Sequence, residues 1–304
     1  MGVQIQHLRY FVTVANLGHF TRAAESLGVT QPTLSKQIHS LEADIGAPLL
    51  DRARGGATLT PAGAVLLPIA RRILADVETA RREVQDLVGL RRGRLRLGAT
   101  PSVATSLVPQ VLRRFRAAYP AIDLHVEESG SQDLVGHLTG GELDLALIIL
   151  PEQGTDPALS AEPILRESLV VASSEPLPAG SVRIGDLREQ PLVMFRTGYD
   201  LRDATLEACR REGFVPPFAV EGGEMDTVLG LVEAGLGVAL VPSMVIANRP
   251  GLRATPLAPP GIRRTIALAH RRESSLTHAA SALRDTVRHH LREATLPPGV
   301  SLAV

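Results

Sequence analysis

The tightest constraint on the fold lies between Thr21 and Gly46, TRAAESLGVTQPTLSKQIHSLEADIG. Thr21 can cap a helix whose Ala23, Ala24 and Leu27 are small enough to let another helix cross closely, and Gly28 ends it by tolerating positive φ. A short turn leads to Thr30, which can cap the next helix, with Pro32 in the first turn, where its missing N–H costs no bond. Leu34, Ile38, Leu41 and Ile45 then recur at i, i+4, i+7 and i+11, the spacing of one buried stripe, and Gly46 closes the run. Upstream, Leu8, Phe11, Val12 and Ala15 mark an earlier helix that stops at Gly18.

If Leu34, Ile38 and Leu41 face inward, Thr33, Lys36, Gln37 and Ser40 face outward. Lys36 is the one lysine among 32 cationic residues. Two helices joined by a short glycine-containing turn describe a helix-turn-helix, whose second helix fits a DNA major groove. Its exposed lysine, glutamine and hydroxyls are the types that donate to guanine, pair with adenine or grip phosphate. Spacing alone leaves this reading and a plain helical hairpin with a solvated face equally open. Residues 49 to 60, LLDRARGGATLT, add a β-hairpin with a basic tip, from which Arg52 and Arg54 could reach phosphates or a narrow minor groove.

Residues 7 to 63 together resemble the winged helix-turn-helix of LysR-type transcriptional regulators. The resemblance implies that Gln31, Pro32, Ser35 and Lys36 read the operator in double-stranded DNA, with Thr30 and Gln37 close by and Thr33 on the same outward face. Leu50 stands where that family usually has phenylalanine, and the wing arginine, Arg54, comes one place early.

From Pro61 the segment PAGAVLLPIARRILADVETARREVQDLVGL carries two interleaved seven-residue series, Ala70, Val77, Val84 and Leu66, Ile73, Ala80, Leu87, which form a coiled-coil seam. Arg71, Arg72, Glu78, Arg81, Arg82 and Glu83 fill the solvated flanks. So narrow a stripe on so long a helix asks for a partner, and a second copy of the chain is the expected one. The resemblance implies a linker helix that pairs subunits, a homodimer and by family habit a homotetramer.

After Gly93 short apolar strands alternate with helices, the texture of parallel α/β layers. RLRLGAT, DLHVEES and LDLALIIL belong to one set of strands. LRESLVVASS, PLVMFR, FAVEG and GLGVALVPS belong to a second, and RRTIALAHRR with the following helix returns to the first. This resembles the family's effector-binding domain, two Rossmann-like lobes of the type II periplasmic-binding-protein kind. The expected fold class is therefore α/β with an N-terminal winged helix-turn-helix. The expected division is 1–62 for DNA binding, 63–92 for the linker helix and 93–304 for the effector domain, with lobe 1 at 93–166 and 267–304 and lobe 2 at 167–266.

Open parallel sheets bind ligands beyond the carboxyl ends of their strands, where helix N-termini offer N–H groups to an anion. The segments at that edge are Thr100, Pro101 and Ser102, then Ser129, Gly130 and Ser131, then Arg196, Thr197 and Gly198, with Glu224 and Met225 opening a further helix. Each hydroxyl taken singly is read best as a helix cap; their convergence on one cleft would make a site for a small effector. The expected effector is a small anion, with Arg196 the counter-ion for its carboxylate.

Charge supports the division. Residues 1–96 hold 13 Lys and Arg against 8 Asp and Glu, and the remainder holds 19 against 24, a basic front on an acidic body. No GxSxG, P-loop, HExxH or cysteine cluster is present, so neither an enzyme nor a metal or other cofactor is expected. Cys209, the single cysteine, cannot close an intrachain disulfide, and its setting LEACRREG reads as a helix. No signal pattern or membrane-length apolar run occurs, which predicts a cytoplasmic protein without a membrane partner. The expected function is DNA-binding transcription regulation under a small-molecule effector, with RNA polymerase a further possible partner. The alternative is a two-lobed binding protein or enzyme carrying a helical interaction hairpin.

Overall fold

The computed structural model describes residues 2–53, 56–87, 93–151, 154–177, 180–247, 249–273 and 275–303, and of residues 52, 53, 82, 83 and 85–87 only the backbone. Contacts divide the chain into two units, Met1–Leu90 with His137–Glu142, and Arg91–Gly136 with Leu143–Val304.

The first unit runs α1 (Ile5–Leu17), α2 (Phe20–Ser26), α3 (Gln31–Ile45), β1 (Leu50–Ala53), β2 (Gly56–Leu59) and α4 (Pro61–Leu87). Leu8, Phe11, Val14, Ala23, Ala24, Leu34, Ile38 and Leu41 form its core. The α3 stripe closes over that core as far as Leu41, whereas Ile45, in the last turn before the left-handed Gly46, is 40% exposed. Thr30 caps α3, its hydroxyl accepting from the Thr33 N–H at 3.4 Å. The cap of α2 differs from expectation: the His19 ring accepts from the Thr21 N–H at 3.3 Å, so Thr21 lies inside the helix. On α1, Tyr10 and Val14 are buried while Val12 and Ala15 are half-buried, because α1 packs on several neighbours rather than on one.

The wing is pinned by backbone contacts. β1 and β2 pair antiparallel from Leu50 with Leu59 to Ala53 with Gly56. Glu42 Oε1 accepts from the Leu49 and Leu50 N–H groups at 2.8 and 3.2 Å, and the Ala57 N–H donates to the Gly18 carbonyl at 2.7 Å. Leu50 is buried, so an aliphatic side chain fills the core position before the wing. On α4, Ala70 joins the core with Leu66 and Ile73 packed beside it, while Val65 and Val84 are 67% and 60% exposed and Ala80 is also exposed. The Leu87 side chain lies outside the described residues.

The second unit runs β3 (Arg94–Ala99), α5 (Pro101–Ser106), α6 (Val108–Ala118), β4 (Asp123–Glu128), α7 (Ser131–Thr139), β5 (Leu145–Leu150), β6 (Leu159–Ser173), a 3-10 turn (Ile184–Glu189), β7 (Leu192–Met194), α8 (Asp200–Arg211), β8 (Phe218–Glu221), α9 (Met225–Glu233), β9 (Ala239–Pro242), α10 (Ser243–Ile246), β10 (Arg253–Pro256), β11 (Arg263–Arg271), α11 (His278–Glu293) and β12 (Val300–Leu302). β3 pairs parallel with β4 and β5, and β7 with β8. The α/β layers are mixed rather than purely parallel, because β11 lies antiparallel between β5 and β6, and β9 and β10 are both antiparallel to β6.

β6 organises this unit. Leu159 to Ser168 pair with β11, and from Leu169 onward the same strand pairs with β9 and β10. It thereby passes from a core of Leu97, Phe115, Leu165, Ile266 and Leu283 to a second of Leu169, Phe195, Met225, Val228 and Val241. α11 packs on the first of these through Leu283, Val287 and Leu291. No helix among the described residues is long and apolar enough to cross a membrane.

Candidate functional site

Capping and burial fix the outward face of α3. With Leu34, Ile38 and Leu41 buried, Gln31, Pro32, Thr33 and Lys36 are exposed and Ser35 and Gln37 half-exposed on the other side. Thr30 is exposed too, its hydroxyl 2.8 Å from that of Thr33. Lys36 has no ion pair among the described residues, so its ammonium is available to a partner. Arg52 lies on β1 with its side chain undescribed, and Arg54 falls outside the described residues.

In the second unit a cavity of about 200 Å³ opens where chain segments from both sides of β6 meet. Thr100, Pro101 and Ser102 reach it from the end of β3, Glu128, Ser129 and Gly130 from the end of β4, Ile149 from β5 and Arg264 from β11. Arg196, Gly198, Tyr199, Asp200 and Leu201 come from the turn into α8, and Glu224 precedes α9. Eight of the eleven residues expected at an effector site, Thr100, Pro101, Ser102, Ser129, Gly130, Arg196, Gly198 and Glu224, thus line one pocket.

Three expected residues do not line it, for local reasons. The Ser131 hydroxyl accepts from the Ile149 N–H at 3.1 Å, which ties α7 to β5. Met225 is buried in the second core. Thr197 is exposed, and its carbonyl accepts from Arg196 at 3.2 Å. Six lining residues were not anticipated. Glu128 directly precedes Ser129, and Tyr199 to Leu201 directly follow Gly198, so extending each strand-end segment by a residue or more would have found them. Ile149, inside the apolar run LALIIL, gave no such cue, and Arg264 has no local signal at all, being placed by the pairing of β11 with β6.

The polar groups here are unevenly satisfied. Arg264 donates to Glu167 Oε1 at 2.8 and 2.5 Å and to the Ser102 hydroxyl at 2.6 Å. Arg196, expected as a counter-ion, is hydrogen-bonded to Glu224, which raises its pKa. Partial burial raises the Glu128 carboxyl above its ordinary value, with Glu224 and Asp226 adding repulsion. Burial, then the charge of Glu224, pushes the Tyr199 phenol up, so it stays protonated. The Tyr199 hydroxyl, the Thr100 hydroxyl and Glu224 Oε2 have no hydrogen-bond partner among the described residues, although a buried polar atom ordinarily finds one. The geometry can therefore hold a small polar molecule. Among the described residues no group of three or more side chains is arranged to hold a metal ion.

Comparison with known proteins bears on both units. The family described as "Bacterial regulatory helix-turn-helix protein, lysR family" matches residues 5–64, and "LysR substrate binding domain" matches residues 89–292. A hydrogen peroxide-inducible genes activator of Dickeya chrysanthemi is 31% identical over 296 residues, 95% of this chain and 96% of that protein. Full-length OxyR of Pseudomonas aeruginosa, carrying a cysteine-to-aspartate substitution, superposes with a TM-score of 0.74 at 26% identity, covering 99% of this chain and 98% of the other. Full-length CbnR complexed with its target DNA superposes with a TM-score of 0.66 at 25% identity, covering 94% and 99%.

Proposed function

The chain belongs to the LysR family of DNA-binding transcriptional regulators, and on that premise we propose how its parts divide the task. Residues 1–62 are the DNA-reading head, 63–92 the linker helix that pairs two subunits, and 93–304 the effector domain with lobes at 93–166 plus 267–304 and at 167–266. In the head, Gln31, Pro32, Ser35 and Lys36 meet base edges while Thr30, Thr33 and Gln37 grip the flanking backbone, the division of labour a recognition helix requires. Arg52 and Arg54 on the wing add phosphate or minor-groove contacts.

The observation that carries the effector half is the set of unpartnered polar atoms on Thr100, Tyr199 and Glu224 in one pocket. A ligand there completes hydrogen bonds that arise on both sides of β6, so it favours whichever lobe arrangement brings those groups closest. Its influence on DNA can come only from a difference in affinity between arrangements. Ala80 and Val84, the exposed members of the two seven-residue series on α4, supply the dimer seam, and two dimers on a two-fold operator make the tetramer. The protein acts in the cytoplasm, catalyses no reaction and meets RNA polymerase on DNA.

Relatives named as hydrogen peroxide-inducible activators suggest peroxide as the signal, and the chemistry of this chain argues against a thiol sensor. Cys209 is its only cysteine, is buried on α8 and has its pKa raised by burial to about 11. A reactive thiol instead needs a depressed pKa and access.

Footprinting on the DNA just upstream of its own gene, with and without small molecules that raise the melting temperature, tests this reading. A ligand-dependent change in the footprint is expected to be lost in Thr100→Val. If the change survives that substitution, the pocket is not the effector site.

A further inference from the structure

The charges around the pocket say more than that it is polar. Glu128, Asp200 and Glu224 line it, and Glu167 lies just behind Arg264. Against these four carboxylates stand Arg196 and Arg264, and both are already engaged, Arg196 by Glu224 and Arg264 by Glu167 and Ser102. An incoming anion would meet two guanidiniums whose charge a carboxylate already offsets, with the carboxylates of Glu128 and Asp200 beside them. An incoming cation would meet the Glu128 and Glu224 carboxylates that line the pocket, and Glu224 Oε2, buried at its edge, has no partner among the described residues. Thr100 and Tyr199, 3% and 7% exposed, line the same pocket, and their buried hydroxyls have no partner among the described residues.

We propose that the effector is a small molecule bearing an ammonium group, an amine or an amino acid, held between Glu128 and Glu224 while the hydroxyls of Thr100 and Tyr199 bind its other polar end. This rests on the pocket being the effector site. An ammonium offers three donors and no acceptor, which suits two acceptor-only carboxylates. It also relieves the repulsion between Glu128, Glu224 and Asp226. The hydroxyls, able to donate, suit a carbonyl, carboxylate or hydroxyl at the far end. Ile149, Pro101 and Leu201 provide apolar wall between the two ends.

The test uses the full-length protein with putrescine, L-lysine and L-arginine at millimolar concentration, and hexanoate, succinate and benzoate as probes without an amine. Melting temperature and calorimetric titration are read at fixed pH and salt. At least one amine is expected to stabilise the protein and none of the carboxylates to do so, and Glu128→Gln should weaken that amine by about tenfold or more. Glu224→Gln should also release Arg196 and shift preference toward the carboxylates. Glu128 is exposed and Glu224 half-buried, and neither belongs to a hydrophobic core. The proposal is overturned if no amine stabilises, if a carboxylate alone does, or if amine binding is indifferent to both substitutions. An anion that binds and is lost in Thr100→Val sinks the ammonium but keeps the pocket as effector site. A ligand whose binding ignores Thr100→Val, Glu128→Gln and Glu224→Gln alike removes the pocket itself.

Discussion

Arg264 on β11 and Glu167 on β6 form an ion pair with the Glu167 carboxylate wholly out of solvent, at 2.5 Å, and Arg264 extends from it to the Ser102 hydroxyl at 2.6 Å on the pocket wall. Glu167 sits two residues before β6 changes sheets. A single guanidinium therefore connects the strand shared by both sheets with a side chain that would meet a ligand.

Breaking that pair from one side strands a buried charge. Arg264→Met should cost about 3–5 kcal/mol of stability because Glu167 is left uncompensated, whereas Arg264→Met with Glu167→Met should return close to the parent, since buried pairs contribute little beyond their own desolvation. Urea unfolding of the parent, both single variants and the double variant measures this. A double variant as weak as Arg264→Met would show that the pair stabilises the fold outright.

Lys36 projects from the face of α3 opposite Leu34, Ile38 and Leu41, unpaired among the described residues. Lys36→Ala should weaken specific operator binding by about 1–3 kcal/mol and leave the melting temperature unchanged. Titration at one salt concentration decides it, and an unaltered affinity removes Lys36 from base recognition. Repeating the titration on non-cognate DNA separates base reading from phosphate attraction, which weakens all sequences alike.

The head could be read from sequence because its determinants are local. Thr30, Gly46 and the Leu34, Ile38, Leu41 stripe act within a few residues of one another. His19 as a cap escaped notice because an imidazole accepts less often than the neighbouring hydroxyl of Thr21. The effector domain was legible at its strand ends, where Thr100 and Ser129 follow the alternating LRLGA and LHVEE and Arg196 follows the apolar LVMF. It was illegible across strands. Arg264 and Glu167 are separated by 97 positions, and only register brings them together. The first half of β6 was masked by Pro163, which cannot donate to a ladder. The chain absorbs that proline through a register shift in which Leu165 faces Ile266 and Pro163 faces Ala267, leaving Ile164 as the extra residue.

Val65 and Val84 stand in water on α4 of an isolated chain, and burying such groups is what assembly offers. Val84→Glu should shift the protein toward monomer in sedimentation velocity and lower its affinity for a two-fold operator more than for a half-site. Unchanged sedimentation would place the subunit interface elsewhere.

Burial of Cys209 on α8 keeps its thiol protonated at neutral pH, with the pKa pushed to about 11. Iodoacetamide should label it only on denaturation, and hydrogen peroxide should leave operator affinity unchanged in both the parent and Cys209→Ala. Detection of a sulfenic acid adduct on the native protein by mass spectrometry would restore a redox role.

The pH dependence of ligand binding follows from Glu128. Partial burial and then Glu224 and Asp226 hold its pKa above the ordinary glutamate value in the free protein, and Arg196, Tyr199, Asp200 and Arg264 are the other titratable groups lining the pocket. The folded state thus keeps a proton that the unfolded chain gives up. By linkage this group favours folding most below its unfolded pKa, and that contribution is lost as pH rises through the folded value. An ammonium ligand reverses the balance by favouring the ionised carboxylate. Its affinity should fall as pH drops through the raised pKa of Glu128, and proton release should accompany binding in that range. Calorimetry in two buffers of different ionisation enthalpy reads the released proton directly, and Glu128→Gln should abolish it. Proton uptake in place of release would mean that the ligand favours the neutral acid, and the ammonium would not be its recognised group.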